Sequence, residues 1–206
     1  MLGGVTTDVT EAPPGRAPSS VARRILDAAT PLLYAHGLRA VSADRVIAAA
    51  GVSKVTFYRH FPTKDALVAA YLESWLAREQ EATAALLAEH PDPVEALDAL
   101  GRALADQPCA PGYRGCAFVH AASELPDEVH PARAVVTRHR DGWTAAVADL
   151  LGRAGAGDAD DVARRLLVVR DGMLVAGDAA AAAGTAAAGL AVWRAVVAGA
   201  LGGRAT

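Results

Sequence analysis

Residues 50 to 67, AGVSKVTFYRHFPTKDAL, contain two helix starts close together, and this limits the possible folds more than any other stretch of the chain. Ser53 and Thr63 are residue types whose side chains accept hydrogen bonds from the free backbone N–H groups of a helix start. Gly51 favours a tight turn before the first helix, and Pro62 ends that helix. The stretch therefore predicts a short helix between two turns, followed directly by another helix.

Two further helices are predicted before this stretch. Apolar residues recur with a helical period over 21–36. Pro31 lies inside this pattern and lacks a backbone N–H, so we expect a kink or a helix start nearer the middle. Ser42 is placed to cap a second, short helix that ends at Gly51. This region therefore predicts a helix-turn-helix unit, with a long helix after it.

The composition favours helices in the rest of the chain. The 206 residues are 52% hydrophobic but only 5% aromatic, and Ala, Val and Leu supply most of the apolar content. This mixture favours closely packed helices over β-sandwiches. We predict an all-α fold of about nine helices, the last two at about 160–181 and 185–201. The excess of Arg over Lys, with abundant Ala, Gly and Pro, is typical of a bacterial protein from a GC-rich genome.

Positive charge is concentrated at residues 20 to 64, although the chain as a whole has a formal net charge of −3. Only Asp27 and Asp44 oppose it there. The cations of this region include both lysines of the chain and are Arg23, Arg24, Arg39, Arg45, Lys54, Arg59 and Lys64. A solvated surface could carry the same charges, but on a helix-turn-helix they are placed where DNA phosphates would lie.

The stretch GLRAVSADRVIAAAGVSKVTFYRHFPTKDALV resembles the N-terminal domain of the tetracycline-repressor-like (TetR) transcriptional regulators, over about residues 20 to 68. The resemblance implies an N-terminal DNA-binding domain and a C-terminal helical domain that dimerises and holds an effector. We accordingly predict a disordered tail at 1–18, a helix-turn-helix domain at 19–66 and an effector-binding and dimerisation domain at 67–206.

The DNA-contacting residues implied by the resemblance lie on or beside the second helix of the motif. They are Ser42, Ser53, Lys54, Val55, Thr56, Tyr58, Arg59, His60 and Lys64. Within this set, the family pattern assigns base edges or groove walls to Lys54, Val55, Thr56 and His60, and phosphates to Tyr58 and Lys64. Phe57 and Phe61 are one helical turn apart, which indicates a core anchor and not a stacking surface.

The effector cavity should be mostly apolar, with a few polar groups. Its candidate lining residues are Tyr71, Trp75, Phe118, His120, Trp143 and Met173. Small residues in the last two helices would allow the close helix packing of a dimer. The candidate dimer residues are Gly172, Leu190, Trp193 and Val197. All of these residues would also fit an ordinary intramolecular core.

Other classes of protein lack support in the sequence. There is no nucleophile–base–acid arrangement, nucleotide fingerprint or metal-ligand set, so we predict no catalytic residues, no cofactor and no metal. The spacing of Cys109 and Cys116 matches no zinc module, and we expect reduced thiols. No secretory signal is present at the N-terminus, and AAAAAGTAAAGLAVW reads as a buried helix too short for a membrane span. These features predict a cytoplasmic protein.

Together the observations predict a homodimeric repressor that binds a near-palindromic operator and is released by a small, largely hydrophobic ligand. A ligand-blind regulator, an activator, an enzyme that uses the C-terminal cavity and an interaction module with a vestigial helix-turn-helix remain alternatives.

Overall fold

The computed structural model describes residues 19–175 and 179–202, where the chain is all-α, as predicted. The predicted tail at 1–18 lies outside the described residues. The helices of the described ranges are α1 (Ser20–His36), α2 (Ala43–Ala50), α3 (Lys54–His60), α4 (Lys64–Glu89), α5 (Pro93–Asp106), α6 (Ala117–Glu124), α7 (Pro131–Arg153), α8 (Ala159–Val175) and α9 (Ala179–Gly202), with a 3-10 turn at Gln107–Cys109.

The first helix runs without a break through Pro31. It begins at Ser20, so a start near the middle of the predicted range was wrong. Its inner face holds Ile25, Ala29 and Leu33, each at most 2% exposed. Burial of this apolar stripe outweighs the loss of one backbone hydrogen bond at the proline.

The fourth helix joins the two parts of the fold. Thr63 caps it, with its side-chain oxygen 3.0 Å from the N of Ala66. Leu67, at its first turn, is buried in the same core as the helices before it. Farther along, α4 packs against α7. The predicted domain boundary at 66/67 therefore falls inside one continuous helix.

Around α4, the C-terminal helices form a bundle in which α7 packs on α8 and α8 packs on α9. Trp193 of α9 is fully buried within the protomer, and its Nε1 donates to the carbonyl oxygen of Leu97 at 2.9 Å. Its ring meets Trp143 edge-on, with centroids 6.1 Å apart. Because Trp193 and the 9%-exposed Val197 pack inside one chain, the structure offers them no dimer surface and corrects that prediction.

The break between the last two helices lies earlier in the chain than predicted. Helix α8 ends at Val175 and α9 begins at Ala179, whereas the predicted break lay between 181 and 185. Alanine is the best helix former, so the alanine run at 179–183 belongs to the last helix and not to the end of α8.

The ninth helix was predicted to be buried, but most of it is exposed in the protomer. Its segment Gly184–Gly202 is long and apolar enough to span a membrane, with a mean hydropathy of 1.4, but only 17% of that window is buried in the protomer. Its inner face carries Trp193 and Val197, while Val192 is 50% exposed. The outer face of α9 is thus an apolar surface without a partner among the described residues of this chain.

Two helical glycines provide a test of this packing. A Cβ added at Gly101 of α5 would lie 2.6 Å from Cδ1 of the buried Trp193, whereas one added at Gly142 of α7 would meet nothing within 4 Å. We expect Gly101→Ala to lower the free energy of unfolding by about 1 to 3 kcal/mol through overpacking. Gly142→Ala should leave it unchanged or raise it by up to about 1 kcal/mol, because alanine favours the helix.

Urea unfolding of the two variants beside the unchanged protein measures both effects. A Gly101→Ala protein as stable as the Gly142→Ala protein would contradict the close contact between α5 and Trp193.

Candidate nucleic-acid interface and effector cavity

Helices α2 and α3 form a helix-turn-helix in which serines cap both helix starts, as predicted. Ser42 Oγ accepts from the N of Arg45 at 3.2 Å, and Ser53 Oγ accepts from the N of Thr56 at 3.1 Å. Gly51 follows α2 with a φ of 61°, a left-handed conformation that glycine adopts without steric penalty. These local interactions set the direction in which α3 leaves the turn.

Two phenylalanines anchor α3 to the core, which confirms their predicted role. Phe57 is fully buried and Phe61 is 8% exposed, and their ring centroids are 6.0 Å apart. Val55 and Tyr58 point the other way, with 80% and 39% of their surfaces exposed. A large apolar side chain so exposed on a recognition helix is available to a groove wall or a thymine methyl group.

The two lysines of the chain lie at the starts of α3 and α4. Lys54 Nζ lies 3.4 Å from Oδ1 of Asp44, and both side chains are mostly exposed. Lys64 Nζ donates to the carbonyl oxygen of Arg39 at 3.0 Å, which ties the start of α4 to the loop before α2. One such bond leaves the ammonium with donors for a phosphate.

Thr56 and His60 are less exposed than the sequence suggests. Both are half-buried, and the Nε2 atom of His60 is buried without a hydrogen-bond partner among the described residues. Helix α3 is only 7 residues long and packs against both α1 and α2, which cover its flanks. Arg59 is exposed. The DNA contacts of all three residues stay predictions.

Two side-chain contacts connect the helix-turn-helix unit to the C-terminal bundle. The hydroxyl of Tyr34, on α1, donates to the carbonyl oxygen of Gly115 at 3.0 Å and accepts from the N of Arg114 at 2.9 Å. One carboxylate oxygen of Glu124, on α6, accepts from the N atoms of Leu38 and Arg39 at 2.8 and 3.1 Å. Residues 114–124 form a loop followed by α6. Tyr34 bonds the first residues of this segment, and Glu124, its last residue, bonds the backbone at Leu38 and Arg39.

A cavity of about 390 Å³ lies beside this connection, inside the C-terminal bundle. Aromatic rings form much of its wall, contributed by Tyr34, Trp75, Tyr113, Phe118 and Trp143. The charged residues of the wall are Arg78, Glu79 and Arg170. An apolar space of this size with a few polar groups is typical of a small-molecule site.

A buried ionic network forms one side of the cavity. Arg170 is 2% exposed, and its Nη2 donates to Oε1 of Glu79 at 2.9 Å. The Nε2 atom of His139, which is 3% exposed, lies 3.1 Å from both Glu79 oxygens. Phe118 stacks on the His139 ring with centroids 3.7 Å apart. Burial raises the pKa of Glu79, but the hydrogen bond from His139 and the charge of Arg170 outweigh it, and the net pKa is lowered.

Half of the predicted ligand residues line this cavity, namely Trp75, Phe118 and Trp143. Tyr71 and Met173 are each 1% exposed, with Met173 packed against Gly189. His120 packs against Gly115, where a Cβ would lie 2.7 Å from its Nε2. The structure thus places Tyr71 and Met173 in the core and the half-buried His120 beside Gly115, so none of the three lies in the wall of this cavity.

Several residues of the cavity wall were not predicted from the sequence. Tyr34 belongs to α1, which was assigned to the DNA-binding domain, and Arg170 lies in a helix with charges on several faces. The sequence around Arg170 does not show that this residue is buried, because its partner Glu79 lies on another helix. Cys116 also lines the cavity, with Sγ 4.0 Å from both terminal nitrogens of Arg170. Both cysteines of the chain are free thiols.

The ionic network predicts a pH-dependent loss of stability in Glu79→Gln. This change removes one of the two carboxylates beside the buried Arg170 and leaves only Asp171, 3.2 Å from Nη1, so we expect the free energy of unfolding at pH 7 to fall by roughly 1 to 3 kcal/mol. The loss should be smaller than for a fully buried pair, because the Glu79 side chain is 30% exposed. Gln retains the size and one acceptor oxygen of the original side chain.

The pH dependence follows from the lowered pKa of Glu79. A carboxyl whose pKa is depressed in the folded state stabilises the fold above its ordinary value of 4.5, and this contribution is lost as the pH falls through the folded pKa. Urea unfolding from pH 7 to a pH below the folded pKa of Glu79 should therefore show a full difference above pH 4.5 and convergence of the two proteins only at the acid end. A constant difference at every pH would mean that the charge of Glu79 is not the cause.

Comparisons with known proteins agree with this architecture. The family profile described as "Bacterial regulatory proteins, tetR family" matches residues 25–71. A TetR-family transcriptional regulator from Streptomyces coelicolor is 34% identical, covers 88% of this chain and 97% of its own, and has a TM-score of 0.83. A TetR-type regulator from Streptomyces avermitilis is 30% identical over 88% of this chain and 98% of its own, with a TM-score of 0.71.

A regulator from Saccharomonospora viridis, solved in complex with choline, shares the fold at 21% identity and a TM-score of 0.67, over 82% of this chain and 95% of its own. No curated protein matches the chain significantly. The profile match on the helix-turn-helix and the near-full-length likeness to the Streptomyces coelicolor regulator establish that this chain belongs to the TetR family of transcriptional regulators.

Proposed function

We propose that this DNA-binding regulator is a homodimeric, cytoplasmic repressor whose operator complex is broken by a small, largely hydrophobic molecule in the C-terminal cavity. The observation that carries this proposal is the position of Tyr34. Its ring lines the cavity, while its helix, α1, packs against both helices of the helix-turn-helix. The family is non-enzymatic, so the cavity is not assigned a reaction.

DNA binding by α3 is supported by what its exposed face offers. Val55 and Tyr58 present apolar surface, and Lys54 and Lys64, the first residues of α3 and α4, add positive charge. Phosphate contacts supply most of the affinity and set the register, while contacts to base edges give specificity. Val55 is the most exposed large apolar side chain of α3, and it can make an apolar contact with a thymine methyl group.

Release by a ligand is supported by the two contacts between the units. A molecule that enters the cavity beside Tyr34 displaces the wall formed by residues 113–118, and the hydroxyl of Tyr34 is bonded to that wall. Glu124 sits at the other end of the same segment and holds the backbone just before α2. Movement of this segment therefore shifts α1 and the turn that positions the helix-turn-helix.

Dimerisation through α8 and α9 is supported by the apolar surface that these helices leave uncovered. Val168, Val175 and Val192 are 70%, 56% and 50% exposed. Gly172 is exposed with open space around it, and Leu190 is half-buried, so both remain candidate dimer residues. A self-complementary apolar face of this kind is what a two-fold dimer requires.

Two recognition helices in such a dimer would read half-sites about one helical turn of DNA apart, about 34 to 36 Å. The operator would then be close to palindromic. The choline complex of the Saccharomonospora viridis protein shows that a chain of this fold can hold a small molecule, which supports a ligand-responsive regulator over a ligand-blind one.

DNA binding is tested by selecting a duplex from a random library with the unchanged protein and titrating it by fluorescence anisotropy at several salt concentrations. Lys64→Ala should weaken binding several-fold and reduce the slope of log affinity against log salt by about 1, because one phosphate contact is lost. Arg153→Ala, at the far end of α7, serves as the control and should leave both quantities unchanged.

Failure to select any sequence would overturn the operator-binding proposal, and equal behaviour of the two variants would remove Lys64 from the interface. Sedimentation of the saturated complex should give two chains per duplex, and one chain per duplex would contradict the dimer.

The coupling is tested with Tyr34→Phe, which keeps the ring and removes only the hydroxyl. Operator affinity without ligand should stay within about two-fold, since the hydroxyl does not face α3. A ligand of the cavity is first found by a thermal-shift screen. The factor by which this ligand lowers operator affinity should be about five-fold or more smaller in Tyr34→Phe than in the unchanged protein, because each lost hydrogen bond is worth about 1 kcal/mol. Full release of the Tyr34→Phe protein at the same ligand occupancy would exclude this hydroxyl as the connection.

A further inference from the structure

The cavity assigned above to the effector also indicates which charge that effector carries. This inference rests on the proposed function, because it concerns the ligand of the same site. It depends on how the charged residues of the wall are paired.

The single carboxylate of the cavity wall is already neutralised by the protein. Glu79 Oε1 accepts from Arg170 Nη2 at 2.9 Å, and His139 Nε2 lies 3.1 Å from both oxygens. The low pKa of Glu79 keeps it ionised in this arrangement. A cationic ligand would have to compete with a buried guanidinium for this carboxylate.

Two tryptophan rings of the wall also have cations beside them already. Arg170 Cζ lies 5.5 Å from the ring centroid of Trp143, and Arg78 Cζ lies 5.8 Å from that of Trp75. A quaternary ammonium is recognised by aromatic faces that are open to it. Here such a ligand would approach those tryptophans next to charges of its own sign.

One cation of the cavity wall has no acidic partner among the described residues. Arg170 pairs with Glu79 and with Asp171, whereas Arg78 pairs with neither. Arg170 Nε is buried and has no acceptor among the described residues. Arg78 is exposed, lines the cavity and forms no ion pair in the part of the chain that the structure describes.

We propose that the effector is an apolar carboxylate, whose hydrocarbon or aromatic body fills the cavity and whose carboxylate pairs with Arg78 at the exposed part of the wall. The apolar rings contribute affinity through burial, and the guanidinium can hold a carboxylate by two parallel hydrogen bonds. A carboxylate at this exposed position keeps part of its hydration, which avoids the large cost of burying an isolated charge.

The test compares three probes of similar length that differ in charge: decanoate, decanamide and decyltrimethylammonium, each below its critical micelle concentration. Their affinities for the full-length protein are measured by isothermal titration calorimetry at pH 7. Arg78→Gln removes the proposed partner. Arg102→Gln, on α5 and paired with Asp98, removes an exposed arginine outside the cavity wall and serves as the control.

Decanoate should bind most tightly. Its affinity should fall about three- to five-fold in Arg78→Gln, which is the range of a partly exposed ion pair, while decanamide binding stays the same. Arg102→Gln should change neither. Unchanged melting temperatures of the two free variants would show that the substitutions act on binding and not on folding.

Three results would overturn the inference: binding of decyltrimethylammonium as tight as that of decanoate, equal weakening of decanoate and decanamide in Arg78→Gln, or no binding of any probe. Operator anisotropy separates these from failure of the proposed function. Decanoate that binds through Arg78 without releasing the operator would contradict ligand release but not the ligand class, whereas release by the ammonium probe alone would contradict the class and leave the repressor proposal standing.

Discussion

Burial of Arg170 is the constraint on which the C-terminal bundle depends. A guanidinium that is 2% exposed has almost no contact with solvent, so its charge has to be met by other residues of the chain. The carboxylates of Glu79 from α4 and of the neighbouring Asp171 on α8 meet this charge, and His139 from α7 bonds the same Glu79 carboxylate. Three helices are thereby held at fixed distances around one charge, and the cavity beside it is lined by aromatic side chains from α1, α4, α6, α7 and the loop before α6.

The same helix that supplies Glu79 also begins in the DNA-binding unit. At its first turn, Lys64 bonds to the backbone of Arg39, and Leu67 packs in the core of α1 to α3. In the proposed mechanism, a change in the cavity would therefore reach the helix-turn-helix along this continuous helix as well as through Tyr34. The cost of bending a continuous helix makes the softer contacts at Tyr34 and Glu124 the places where the two units can shift relative to each other.

The predictable parts of this molecule are those encoded by neighbouring residues. The caps at Ser42, Ser53 and Thr63, and the anchors Phe57 and Phe61, depend on residues within one helical turn, and the structure agrees with all of them. Local patterns of this kind define the family as well as the fold.

Residues whose environment is set by distant partners were not predictable in this way. From the sequence, Trp193 is a large side chain on an alanine-rich helix and was predicted to lie in a dimer interface. In the structure its ring packs inside the protomer, where Gly101 of α5 leaves space for it. Tyr34 was assigned to the DNA-binding domain by its helix, yet its hydroxyl bonds a loop 80 residues away. Hydrophobic periodicity carries no information about such pairings, so only half of the predicted ligand residues lie in the wall of the cavity, and their contact with a ligand stays a prediction.

The magnitudes are consistent with a regulator that is poised between two states. Operator release requires a coupling free energy of about 1 to 3 kcal/mol between the cavity and the DNA-binding surface. The two hydrogen bonds of Tyr34 are worth about 1 kcal/mol each, and the carboxylate bonds of Glu124 somewhat more. In the proposed mechanism, loss of one of these contacts on ligand binding would supply a coupling at the lower end of this range, and the buried network around Arg170 could stay intact. In this proposal the ionic network around Arg170 keeps the cavity in shape, and the weaker bonds of Tyr34 and Glu124 change when a ligand binds.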